Sequence, residues 1–302
     1  MRGTMLYKPY DVRSEMRPDP TIIEPTDAII RVTAACVCGS DLWPYRGLEP
    51  VNEPMPMGHE YVGIVEEVGR EVRNVKPGQF VIGSFWASDN TCPICQAGYQ
   101  SPCVQAVLMG SNGTQAEYAP IPLADGTLVA TPDIPDDDLT PSLLAASDVL
   151  GTGWFGADAA EAGPGKTVAV VGDGAVGLLA ILAAKHMGAE RIIAMSRHPD
   201  RQRLAIEFGA TDIVTERGDE GVARIKDLTD GFGAHSDLFF AEIHLMGGPA
   251  PVRRFLPELI DLIWNRKINP GKVFDLTLPL EQAAEGYRAM DERRAIKTML
   301  IP

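Results

Sequence analysis

Three short stretches carry side chains suited to a single metal ion. Cys38 opens the run Cys38-Gly39-Ser40-Asp41, His59 and Glu60 follow Gly58, and Asp148 lies between Ser147 and Val149. Thiolate, imidazole and carboxylate all suit Zn2+, and three protein ligands leave a fourth position open, as a catalytic zinc requires. Each piece alone also has an ordinary reading: Cys38 as a core cysteine beside Cys36, His59 as a turn cap, Asp148 as a residue on a helix end. Together they look like one zinc site. A zinc so held would act as a Lewis acid on a substrate oxygen.

A second constellation is built for phosphate. Gly172-x-Gly174-x-x-Gly177 follows a predicted strand and opens a predicted helix, the context that gives this otherwise weak motif its meaning. Gly172 permits a tight turn, Gly174 admits a pyrophosphate close to the backbone, and Gly177 lets helix and strand pack closely. The pyrophosphate would rest on the helix N-terminus at Ala175 and Val176, where free N–H groups favour anions. The next strand ends Met195-Ser196-Arg197-His198, with no acid at its tip to hold a ribose 2′-hydroxyl. Ser196 and Arg197, with Arg201, are suited to a 2′-phosphate, so NADP(H) is the expected cofactor. The alternative is that Arg197 is a solvated loop residue.

The elements that position these groups fall into two rhythms. The first half reads as short strands between Gly/Pro turns, with strands expected over 28–36, 61–68 and 79–85 and a helix over 142–150. From Lys166 strands alternate with helices. A buried strand is expected over 167–172, a helix over 175–187, a strand over 191–195, a helix over 200–208, a strand over 211–215 and a helix over 220–228, which means βαβ units and a parallel sheet. Beyond Gly247 come an amphipathic helix (252–264), a strand (273–278) and a helix (281–291). The expected fold class is α/β, with domains over 1–150, 151–246 and a returning segment over 247–302.

Here the chain resembles the zinc-dependent medium-chain alcohol dehydrogenases. GHEYVGIVEEVG has the spacing of that family's zinc signature in Gly58, His59, Glu60, Gly63 and Gly69. Cys38-x-Ser40-Asp41 matches upstream, and Asp148 occupies the place of the third ligand. The ending LPLEQAAEGYRAMDERRAIKTML is also similar. The resemblance implies a β-rich GroES-like catalytic domain and a Rossmann-like cofactor domain. It implies catalytic zinc on Cys38, His59 and Asp148, with Glu60 beside or transiently on the metal. Ser40 would be the first proton-relay hydroxyl, and Asp41 would orient His59 or a nearby arginine. The activity implied is hydride transfer between NADP(H) and a small to medium alcohol, aldehyde or ketone. Trp43 stands near the place of a later relay histidine. Trp43, Tyr45 and Trp86 could line a substrate pocket or simply pack in the core.

Cys92, Cys95 and Cys103 resemble the family's structural-zinc lobe. A closed zinc site needs four ligands. Gly98 is read as standing where a third cysteine would fall, and Asp89 could complete the set in principle. A metal-free lobe or a redox-sensitive thiol trio are the alternatives.

A deletion is also expected. A full dinucleotide domain needs two βαβαβ halves, and the chain has room for little more than the first. The junction is placed near Asp237–Leu238, so the cofactor domain is expected to be shortened. A catalytically impaired zinc- and nucleotide-binding remnant is therefore the second reading.

The composition has 41 acidic against 27 basic side chains, a net charge of −14, a pI of about 4.8 and 45% hydrophobic residues. That charge makes nucleic acid and anionic membrane poor partners. A small-molecule substrate and a homodimer or homotetramer are expected instead. The first 16 residues show no apolar core and no signal-peptide cleavage pattern, so a cytoplasmic protein is expected.

Overall fold

The computed structural model describes residues 1–231 and 245–302. Two compact units divide it: Met1–Gly151 with Pro251–Pro302, and Thr152–Ala250.

The chain opens with the hairpin of β1 (Arg2–Lys8) and β2 (Asp11–Met16) and enters β3 (Ala28–Cys36). The single turn α1 (Leu42–Tyr45) and the two-residue β4 (Met55–Pro56) lead to β5 (Tyr61–Val68) and β6 (Phe80–Gly83). A lobe follows, bounded by β7 (Trp86–Ala87), the one-turn α2 (Pro93–Gln96) and β8 (Val107–Leu108). Then come β9 (Tyr118–Ile121), α3 (Ala124–Thr127), β10 (Leu128–Ala130), α4 (Thr140–Ala146) and α5 (Val149–Ala159). One helix is expected over 142–150, but two helices form, with the polar pair Ser147-Asp148 between them. Ser147 caps the first, its hydroxyl donating to the Leu144 carbonyl at 2.8 Å, and Asp148 lies at the break.

In the second unit β11 (Thr167–Val171), α6 (Ala175–His186), β12 (Arg191–Met195), α7 (Pro199–Phe208), β13 (Asp212–Val214) and α8 (Gly218–Leu228) alternate. Among the described residues they make one parallel sheet of three strands, β11-β12-β13. The expectation of a buried strand over 167–172 is corrected. β12 is almost wholly buried, whereas β11 alternates between exposed and half-buried and Val171 is 75% exposed. Among the described residues β11 pairs with β12 alone, whereas β12 has a strand on each side, and the side chains of β11 are correspondingly less covered. The junction at Asp237–Leu238 lies outside the described residues.

The chain returns to the first unit through α9 (Val252–Trp264), β14 (Phe274–Pro279), α10 (Ala283–Asp291) and β15 (Lys297–Ile301). β15 runs antiparallel to the end of β3, with Met299 opposite Cys36 and Leu300 opposite Ala35. The large sheet has the order β10-β6-β5-β3-β15-β14, and β9 also pairs with β3. Tyr61, Ile30, Ile121 and Leu128 are among the side chains that fill the core on β3 and β5. Leu6, Tyr45, Tyr287 and Leu300 belong to a second cluster. The whole arrangement brings the ends of β3, β5 and β15 to one place.

Candidate metal and cofactor sites

Cys38 follows β3 by two residues and His59 precedes β5 by two, so pairing of the two strands sets them side by side. Gly58 makes the approach possible. Its φ is +100°, and a Cβ there would lie 2.5 Å from the Gln115 side chain. Asp148 arrives from the break between α4 and α5. Ligand atoms of Cys38, His59, Glu60 and Asp148 all lie within 4.8 Å of one another, and all four residues are buried.

The geometry orients the imidazole. Asp41 Oδ1 lies 3.3 Å from His59 Nδ1, and Asp41 Oδ2 accepts the Cys38 N–H at 2.9 Å and the Gln115 amide at 3.3 Å. His59 Nε2 therefore faces Asp148 Oδ2 at 3.4 Å and the Ser40 hydroxyl at 3.5 Å. A carboxylate that fixes one ring nitrogen and presents the other is how proteins hold metal-binding histidines. Tyr287 donates to the Gln115 side-chain oxygen Oε1 at 3.1 Å, tying α10 to the same network.

The electrostatics fit a cation. Burial disfavours a charged His59, yet Asp41, the Cys38 sulfur and Asp148 outweigh it and hold its pKa well above the usual value. Burial and the charge of Glu60 push the Cys38 thiol up. Burial likewise raises Glu60, partly offset by Lys297. Lys297 Nζ donates to Glu60 Oε1 at 2.7 Å and to the Val37 carbonyl at 3.2 Å. Glu60 Oε2 is buried with no hydrogen-bond partner. A thiol, an imidazole and two carboxylates without enough positive charge, one with an orphaned oxygen, are what a divalent cation would relieve.

The second cluster has the composition that the sequence allows. Ligand atoms of Asp89, Cys92, Cys95 and Cys103 lie within 4.8 Å of one another. Asp89, which precedes the cysteines, thus stands as the fourth group, and Gly98 has φ +90°. Cys92 and Cys103 sulfurs are 3.9 Å apart, and the N–H groups of Asp89 and Gln105 point at Cys103 Sγ at 3.5 and 3.4 Å. Backbone N–H groups around Cys92 hold its thiol below the usual range. All five cysteines are free and buried.

Of the aromatic residues, Tyr45 is core, packed between Tyr10 and Tyr287 at ring-centroid distances of 5.0 and 5.4 Å. Trp43 is exposed, and Trp86 is half-buried in β7.

In the second unit Gly172 has φ +121°, and a Cβ on Gly177 would meet the Gly172 carbonyl oxygen at 2.2 Å. Helix α6 starts at Ala175 with Gly174 as its cap, leaving the Ala175 and Val176 N–H groups at a free helix end. At the tip of β12 Arg197 is exposed and Ser196 is buried. No acid stands at that tip in the sequence, but one reaches it in space. Asp173, between the first two glycines of the turn, accepts the Ser196 hydroxyl at 2.8 Å and lies 3.5 Å from Arg201.

Lys297, Gln115, Tyr287 and Asp173 were not singled out from sequence. Lys297 had a signal, a lone lysine in the apolar strand KTMLI, and Asp173 had one, an acid inside the Gly-rich turn. Gln115 had none.

Residues 24–133 match the alcohol dehydrogenase GroES-like domain, and residues 175–238 match the zinc-binding dehydrogenase domain. The zinc-type alcohol dehydrogenase B of Aspergillus flavus is 30% identical over 99% of this chain and 81% of its own length. That alignment spans 348 positions, more than the 302 residues of this chain, so the relative carries residues with no counterpart here. Alcohol dehydrogenase TADH from Thermus sp. ATN1 superposes with a TM-score of 0.87 at 28% identity, covering 100% of this chain and 99% of that one. A zinc-binding dehydrogenase of Sinorhizobium meliloti, solved bound to NADP, superposes with a TM-score of 0.78 at 25% identity, covering 100% and 99%. No helix among the described residues is long and apolar enough to cross a membrane. With the metal-ligand set, the Gly-rich turn and these likenesses in agreement, the chain belongs to the zinc-type alcohol dehydrogenases of the medium-chain dehydrogenase family, with a GroES-like domain and a Rossmann-like domain.

Proposed function

We propose that the protein transfers a hydride between NADP(H) and a small to medium alcohol, aldehyde or ketone, using zinc held by Cys38, His59 and Asp148. The observation that carries this is the buried convergence of those three side chains with Glu60, together with the orientation of His59 by Asp41. Zinc bound there supplies a Lewis acid for the substrate oxygen, and the nicotinamide supplies or takes the hydride. Ser40 is exposed and lies beside His59 Nε2, which suits it to carry the substrate's proton toward solvent. Asp41 holds the imidazole in one orientation throughout. Lys297 holds Glu60 by one oxygen, and the other has no hydrogen-bond partner.

NADP(H) is the preferred cofactor in this reading. Ser196 and Arg201 meet at Asp173 beside the tip of β12, exposed Arg197 follows Ser196, and the NADP bound to the Sinorhizobium meliloti relative agrees with that preference. Gly172, Gly174 and Gly177 make the turn, and the N–H groups of Ala175 and Val176 receive the pyrophosphate. The Asp89, Cys92, Cys95 and Cys103 cluster is a structural zinc site that braces the 86–108 lobe. Its closed set of four contrasts with the open position at the first site.

Cys38→Ala is the test. Turnover should vanish with little change in NADPH affinity, because Cys38 belongs to the metal site and not to the Gly-rich turn. A fully active variant would refute the metal assignment.

A further inference from the structure

We propose that Asp173 is the residue that sets this protein's balance between NADP(H) and NAD(H). The proposal rests on reading the Gly-rich turn and the β12 tip as the cofactor's adenosine site.

The strand tip in such a site faces the 2′ position of the adenosine ribose. Sequence alone leaves that position without an acid. In the folded chain Asp173 supplies one from the turn. Its Oδ2 accepts the Ser196 hydroxyl at 2.8 Å, and its Oδ1 lies 3.5 Å from Arg201 Nη1. The same Arg201 nitrogen donates to the Asp173 carbonyl at 3.2 Å. Ser196 is 1% exposed, and the side chains of Asp173 and Arg201 are 15% and 12% exposed. Ser196 and Arg201 hold the carboxylate in its charged form, below the usual range, although burial works the other way.

Two of the three donors suited to a 2′-phosphate are thus already engaged by a carboxylate. A phosphate arriving there meets a like charge and must compete for both donors. A 2′-hydroxyl meets an acceptor ready to take its hydrogen bond. Exposed Arg197 is left as the phosphate's own partner. Asp173 therefore weakens NADP(H) and strengthens NAD(H), and the net preference for NADP(H) is smaller than Ser196, Arg197 and Arg201 alone would give.

The experiment uses the full zinc-loaded chain and four probes: NADPH, NADH, 2′,5′-ADP and 5′-AMP. The last two differ only in the 2′-phosphate and engage only the adenosine half. Dissociation constants are measured calorimetrically for wild type, Asp173→Asn and Asp173→Ala. Asparagine keeps an oxygen that can accept from Ser196 while removing the charge, so it preserves the local hydrogen bond. The ratio of 2′,5′-ADP to 5′-AMP affinity should rise about tenfold in the asparagine variant, with NADPH against NADH moving in the same direction. A ratio within twofold of wild type in both variants overturns the proposal. The parent reading fails differently. If wild type binds 5′-AMP no worse than 2′,5′-ADP and Arg197→Ala does not change that ratio, the β12 tip is not a phosphate site, whatever the Asp173 variants do.

Discussion

Replacing Lys297 with methionine should destabilise the metal-free protein by about 3–5 kcal/mol, the cost of breaking a buried ion pair from one side. Lys297 and Glu60 have side-chain exposures of 1% and 0% and stand 2.7 Å apart. Methionine fills much the same volume, so lost packing is a minor contributor. What remains is a buried carboxylate with neither oxygen paired, since Oε2 already lacks a partner. Against a total stability of about 5–15 kcal/mol, that is a large fraction. Two modifiers follow from the structure. Glu60 in the variant is raised further by burial without its lysine. A raised folded-state pKa gives stability at low pH that is lost as pH rises through it, so the deficit should be largest at neutral pH and shrink toward acid. Zinc beside Glu60 also restores a positive neighbour, so loading should reduce the deficit. Denaturant unfolding followed by tryptophan fluorescence, with chelator and with zinc, measures all three. Glu60→Gln in the Lys297→Met background should recover most of the loss, because the uncompensated charge is gone. A deficit below about 1 kcal/mol at neutral pH, or a double variant no better than the single one, would refute the reasoning.

Ser40→Ala should lower kcat by about 100-fold with little change in NADPH affinity, the scale of a lost proton-transfer group. Steady-state kinetics and a cofactor titration on the same preparation check it. Asp89→Asn or Cys92→Ser should cost the protein one of two bound zinc ions, read by metal analysis, and should increase proteolysis of the 86–108 lobe while the Cys38 site keeps its metal. Asp173 should also leave a pH signature in the cofactor-free protein. Its folded pKa lies below the usual carboxylate value, so the stability it contributes is present above about pH 4 and lost as pH falls below that. Wild type should then be more stable than Asp173→Ala by about 1 kcal/mol at pH 7 and lose that advantage in acid, as thermal unfolding across pH would show.

The sequence was most legible where local pattern and tertiary role agree. The strands over 28–36, 61–68 and 191–195 and the helix over 252–264 have the bounds that periodicity predicts, because each has an apolar face matching its period. The helix expected over 142–150 breaks at Ser147 and Asp148. The polar pair Ser147-Asp148 interrupts the apolar residues there, and the break sets Asp148 beside Cys38 and His59. β11 looks like a buried strand because Val168, Val170 and Val171 are apolar. Exposure depends on which neighbours flank it, and strand pairing is not encoded in those five residues. Cys38, His59 and Asp148 could be picked out because their types are rare and their motifs specific. The residues that surround them were harder to find. Lys297 is 237 positions from Glu60, and Gln115 reaches Asp41 across 74. Asp89 was within reach of the sequence as a fourth member of the cysteine cluster, because it precedes Cys92 by only three residues. Asp173 was hidden inside a motif read for its glycines.

The most direct test of the central claim is a titration of the purified, zinc-loaded protein with NADPH and, in parallel, NADH, followed by nicotinamide fluorescence. The account predicts saturable binding of both, tighter for NADPH. Binding of neither would contradict it, leaving a metal-binding protein whose second unit does not hold a dinucleotide.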